Sequence, residues 1–217
     1  MTEQEWLSGT YAVPMLALLR GKVSERKLRL FAVACCRLVW HEMTDERSRN
    51  AVEVAQRFAD GKATRKELAD ARDAAPPSYR TYLRNDFPYP DECAATAAAE
   101  SAAESIDAEA LVWAAFFGED MTVDGDGDMV AAFICRDIFG NPFRPVTVNP
   151  AWLAWNDATV NRIAEGIYDE RAFDSLPILA DALEDAGCDN ADILNHLRSA
   201  GPHVRGCWPI DLILGKS

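Results

Sequence analysis

Residues 24–43 read SERKLRLFAVACCRLVWHEM, and the spacing of their apolar side chains decides the fold class. Leu28, Phe31, Cys35, Leu38 and Val39 recur at steps of three and four. That repeat lines one face of an α-helix, and a strand with its period of two cannot produce it. Ser24 stands where an N-cap hydroxyl would accept a hydrogen bond from an unpaired N–H of the first turn. Thr44 or Asp45 opens a second helix, with Val52, Ala55 and Phe58 or Ala59 on a shared face, and Gly61 supplies its left-handed terminus. The two are predicted to form an antiparallel hairpin. Thr64 with Glu67 makes a capping box that starts a third helix, running to about Ala74.

Downstream, Pro76 and Pro77 end that helix, and PSYRTYLRNDFPYP (77–90) reads as an ordered loop. An alanine-rich helical run follows from Asp91, and Asp107 caps a helix through Phe117. Residues 118–128, GEDMTVDGDGD, read as an acidic surface loop that is mobile or marks an internal boundary. From about Asp128 a helix is expected to bury Met129, Val130, Phe133, Ile134 and Ile138, until Gly140, Asn141 and Pro142 stop it. NPFRPVTVNP (141–150) is extended because its prolines lack amide donors. Helices follow near Asp157–Asp169, Leu176–Ala186, Ala191–Arg198 and Pro209–Leu214. No alternating strand and no fixed repeat occurs. The fold class expected is all-α: a single domain over residues 1–217, an irregular helical bundle with its N-terminal hairpin packed on the C-terminal helices.

Composition narrows the functions. Hydrophobic residues at 49% and charged residues at 26% match a globular chain rather than a disordered one. The formal charge of -13 repels phosphate backbones and anionic lipid, so nucleic acid is not an expected partner. The opening MTEQEWL has no basic stretch with an apolar run behind it, and no stretch reaches membrane length. A cytoplasmic protein without a signal peptide or membrane span is expected. In a reducing compartment the six irregularly spaced cysteines are buried hydrophobes, ligands or nucleophiles rather than a disulfide framework.

The sharpest chemical constellation is Cys188, His196, His203 and Cys207, two thiols and two imidazoles within twenty residues, the ligand types of a structural zinc site. Only His203 and Cys207, in HVRGC, are spaced as one turn would present them, so closure of a tetrahedron depends on tertiary folding. The plainer account has Cys188 buried behind Gly187, His196 at a helix terminus and His203 hydrogen-bonded in its turn, and the sequence alone favours it. Cys35 and Cys36 are adjacent on a helix and point about 100 degrees apart, which suits core positions better than chelation. Asp124, Asp126 and Asp128 open like a calcium loop, but Met129 and Cys135 stand where its glycine and glutamate belong. Cys207 beside His203 could serve a thiol enzyme, yet no third orienting group is marked, and neither a GxSxG elbow nor a phosphate loop occurs.

Trp152 and Trp155 share a face if the turn after Pro150 is helical, either anchoring the core or forming an aromatic hot spot for a protein partner. Arg144 and Arg205 are the best candidates for ion pairs that tie loops to helices.

The segments MTEQEWL, LRGKVSERKLRLFAVACCRLVW, DERSRNAVEVAQRFADG, RDIFGNPFRPV, IYDERAFDSLPILADALEDAGC and GPHVRGCWPIDLILGK cover roughly 100 residues at the two ends of the chain. In them the sequence resembles an uncharacterised family of planctomycete (Gemmata-type) bacterial proteins. The resemblance implies no activity, ligand or catalytic residue. The first expectation is therefore a non-enzymatic protein-binding or adaptor module, with Trp152, Trp155, Arg144 and Arg205 at its surface. A zinc-stabilised structural or regulatory protein comes second, and a cysteine-dependent enzyme third.

Overall fold

The structure, a computed structural model, describes residues 1–41, 43–75, 102–103 and 126–216. Among the described residues every regular element is helical, in agreement with the class read from the sequence. The loop at 77–90, the alanine-rich run, the helix after Asp107 and most of the acidic loop lie outside the described residues. Packing divides the chain into two compact units, Met1–Cys135 and Arg136–Ser217. Each is described by itself.

The first unit holds α1 (Glu3–Ser8), α2 (Ala12–Leu19), α3 (Glu25–Leu38), α4 (Glu46–Ala59) and α5 (Arg65–Ala74). The caps read from sequence are present: the side chains of Ser24, Asp45 and Thr64 accept from Lys27, Arg47 and Glu67 N–H, and Glu67 closes its box on Thr64. Helix α4 packs on both α3 and α5. Residues 29–36 of α3 are buried all round rather than along one stripe, as befits a helix at the middle of a core. Cys36 is therefore as buried as Cys35. Burial first, and the neighbouring Cys36 and Cys135 thiols after it, push the Cys35 thiol well above its ordinary range, so it behaves as a small hydrophobe.

Helix α6 (Asp126–Phe139) begins two residues before the start expected from sequence. Its buried apolar side chains are Ala131, Ala132, Ile134, Cys135 and Ile138, whereas Phe133, expected inside, is 43% exposed. The steps from 131 to 134, 135 and 138 define the face, and Phe133 falls off it.

The second unit adds α7 (Pro150–Glu170), a 3-10 turn (Phe173–Ser175), α8 (Leu176–Asp185), α9 (Ala191–Leu197) and α10 (Trp208–Ile213). Asn149 caps α7 ahead of Pro150. The helix breaks at Trp155–Ala158, where Asn156, Asp157 and Ala158 take left-handed φ values of 46, 55 and 60. A short first turn is thus set off from the main helix, the division read from the sequence. Helix α8 packs against α7 and α9, and α10 against the same two. Leu176, Leu179, Leu183, Val160, Ile193 and Leu197 lie at the heart of the shared cluster.

Helix α8 ends in a Schellman motif. Gly187, at φ 87, donates its N–H to the Glu184 carbonyl, and Cys188 donates to the Leu183 carbonyl at 2.8 Å. Arg198, just past α9, forks onto Asp181 and Glu184 of α8. Arg205 reaches Asp169 at 3.7 Å and lies over the Tyr168 ring at 4.2 Å, fastening the loop before α10 to α7. No helix among the described residues is long and apolar enough to cross a membrane.

Candidate metal centre

Four side chains of the second unit converge on one point. Asp137 comes from the last turn of α6, His196 from α9, His203 from the loop after it, and Cys207 is the N-cap residue of α10. One ligand atom from each lies within 4.8 Å of the other three. Local sequence explains each placement. Asn190 caps α9, whose apolar face of Ile193, Leu194 and Leu197 is buried and leaves His196 beside it. Cys207 makes no side-chain cap bond to the first turn of α10. Gly140, at φ 67, ends α6 directly over Trp208, where a Cβ would come within 3.1 Å of the indole. Trp208 in turn stands edge-on to His196 at 5.5 Å, and His196 edge-on to His203 at 5.1 Å.

The distances are short. His203 Nδ1 lies 2.7 Å and His196 Nε2 3.0 Å from Asp137 Oδ1, and His196 Nε2 lies 3.3 Å from Cys207 Sγ. The second carboxylate oxygen, Oδ2, accepts the Val204 N–H at 2.9 Å. The remaining nitrogen of His203, Nε2, lies 3.1 Å from the Ser199 carbonyl. Water has little access, since Asp137 is 2% exposed and Cys207 is fully buried.

Burial presses the Asp137 carboxyl upward, but bonds from His196 and His203, the His196 charge and the Val204 N–H outweigh it and hold it below 3.8. Burial presses His203 downward, yet the bond to Asp137, the charge of Asp137 and the Ser199 carbonyl leave it above 6.5. Direction of donation explains the pairing. The Asp137 carboxylate and the Ser199 carbonyl both accept, so without another cation the pairing calls for a ring protonated at both nitrogens, with Ser199 Oγ a further contact of Nε2 at 3.3 Å. A metal ion on Nδ1 removes that requirement and leaves Nε2–H for the carbonyl. Metal-bound histidines are commonly oriented in this way.

The same geometry speaks against a thiol enzyme. A catalytic triad places the nucleophile on one ring nitrogen and the carboxylate on the other, so that the imidazole relays between them. Here Cys207 and Asp137 both face Nε2 of His196. Cys207 lies 3.3 Å from Nε2 of His196, where HVRGC suggested His203, and it is fully buried.

Of the four sequence-proposed ligands the structure brings together His196, His203 and Cys207, and it does not bring Cys188. Cys188 follows the positive-φ Gly187 of the Schellman motif, where a small apolar side chain folds back on its helix, and it packs into the hydrophobic cluster. Burial, its main influence, pushes that thiol up and away from the ligating form. The fourth member is Asp137, 59 residues before His196.

The proposed binding surface also changes. Trp152 is only 8% exposed and Trp155 is half-buried against the same cluster, so they anchor the core and form no exposed aromatic pair. Arg205 is largely covered by its contacts with Asp169 and Tyr168. Arg144 alone of the four is exposed, in the turn where its N–H donates to the Asn141 carbonyl. No family model matches the chain, and neither a curated protein nor a solved structure was found to be similar to it.

Proposed function

We propose that the second unit is a metal-stapled helical module whose site holds one divalent transition-metal ion, zinc by its donor chemistry, through Asp137, His196, His203 and Cys207. The observation that supports this reading is the convergence of four potential ligand atoms within 4.8 Å of one another. Two imidazole nitrogens, one thiolate and one carboxylate are ligands that zinc accepts in tetrahedral sites. Charge favours the same ion. Asp137 and Cys207 as anions offset a dication, so the buried centre is neutral overall, which limits the cost of desolvating it.

The role is structural. Four protein ligands fill a tetrahedron and leave no position for water or substrate, the feature that separates structural from catalytic zinc. The ion would join the end of α6 to α9, the following loop and α10, a cross-link between segments far apart in sequence. Metal analysis of the purified protein, followed by thermal unfolding with zinc and with chelator, tests the reading. One zinc per chain and a lower melting temperature in chelator are expected. A chain that takes up no zinc and melts identically under both conditions contradicts it.

A further inference from the structure

Given the metal centre proposed above, on which this rests, we infer that Gly201 and the Ser199 carbonyl set its mode of ligation: His203 binds through Nδ1 and His196 through Nε2. Nδ1 is the ring nitrogen next to Cβ, so its use requires the backbone to run close beside the ion. The turn from 201 to 203 meets that requirement. Gly201 sits at φ 86, and a Cβ there would lie 2.9 Å from the His203 backbone nitrogen and 3.2 Å from its Cδ2. No side chain fits in that gap. The glycine therefore lets the imidazole lie flat against its own turn, with Nδ1 2.7 Å from Asp137.

On the far edge of the ring Nε2 lies 3.1 Å from the Ser199 carbonyl and 3.3 Å from Ser199 Oγ, whose own hydrogen goes to the His196 carbonyl at 2.8 Å, so both oxygens face Nε2 as acceptors. Nε2 is thereby committed as a donor, and only Nδ1 keeps a lone pair for the ion. His196 is placed the other way. Its Nε2 is the atom that faces both Asp137 and Cys207. Gly201 is thus a positioning residue for the ligand His203, acting through the shape of the turn.

Gly187 provides the matched control, since at φ 87 it has the same left-handed backbone but open space where a Cβ would project. Both Gly201→Ala and Gly187→Ala carry the backbone penalty of a positive φ, and only the first collides with His203. Zinc titration of the two variants should show Gly201→Ala weaker by roughly ten- to hundredfold, the usual effect of disturbing a ligand's support, and Gly187→Ala unchanged. Nitrogen-15 NMR of the histidine rings in the zinc-loaded wild-type chain reads the ligation mode without any substitution. It should find His203 protonated at Nε2 and metal-bound at Nδ1, with His196 bound at Nε2. Ligation of His203 through Nε2, or equal zinc affinity in the two glycine variants, overturns the inference while leaving the metal centre in place. A wild-type chain that binds no zinc removes the centre itself.

Discussion

Replacing Asp137 by asparagine keeps the volume of the side chain and removes its charge, and its consequences can be worked out from the bonds Asp137 makes. The carboxylate lies 2.7 Å from His203 Nδ1 and 3.0 Å from His196 Nε2 and accepts the Val204 N–H at 2.9 Å, while almost wholly buried. An asparagine oxygen can still accept from Val204, but its amide then points N–H groups at the two imidazoles. Each charge-assisted bond contributes about 1.5–3 kcal/mol, and breaking one side of a buried ion pair costs about 3–5 kcal/mol. A loss of about 3 kcal/mol is expected for Asp137→Asn in chelator. With a urea m-value near 2 kcal/mol per M, the unfolding midpoint moves down by about 1.5 M. Urea unfolding followed by circular dichroism and by tryptophan fluorescence measures it. Zinc at about 1,000 times its Kd should then protect the wild type by about 4 kcal/mol and the variant by much less. A midpoint shift under about 0.3 M, with undiminished protection by zinc, would refute the claim that Asp137 holds this site together.

Stability should depend on pH in opposite senses with and without metal. In chelator, a His203 value raised above 6.5 makes its contribution complete below about 6.5 and lost as pH rises through the raised value. An Asp137 value lowered below 3.8 makes its contribution present above about 3.8 and lost as pH falls through the lowered value. Site stabilisation therefore declines without metal as pH rises above about 6.5 through the raised His203 value, whereas zinc binding strengthens over that interval because zinc displaces the His203 and Cys207 protons. Melting curves at several pH values that run parallel with and without zinc would contradict this. Cys207→Ser should abolish tight zinc binding while Cys188→Ala leaves the stoichiometry at one per chain, by metal analysis; loss in both would return Cys188 to the ligand set. Trp152→Ala should act on stability, costing about 3–5 kcal/mol for a buried tryptophan, in a denaturant titration. A cost near zero would mean that the ring is solvent-facing.

The helices were legible because their signals are local. Ser24 and Thr64 cap the helices they were expected to cap, Asp45 rather than Thr44 caps α4, and the break before the main part of α7 follows the sequence. The division into two units was not marked, because it falls inside α6 between Cys135 and Arg136, with no proline or glycine run there. Three members of the site could be found from residue type alone, since His196, His203 and Cys207 lie within twelve residues. Asp137 could not, because what joins it to them is packing across 59 residues of chain. A faint signal did exist. Asp137 lies three residues after Ile134 and next to Ile138, so an acid occupies the edge of an apolar helical face where a lysine-like solvated position would be ordinary. Cys188 misleads for the converse reason: its residue type suits zinc, but the preceding glycine gives it a helix-ending role.

X-ray absorption at the zinc edge of the loaded chain addresses the metal most directly, because it counts and identifies the ligand atoms without a substitution. One sulfur at about 2.3 Å and three nitrogen or oxygen atoms at about 2.0–2.2 Å are expected for Cys207, His196, His203 and Asp137. Two sulfurs, or a shell of six light atoms with none, would contradict the proposed centre.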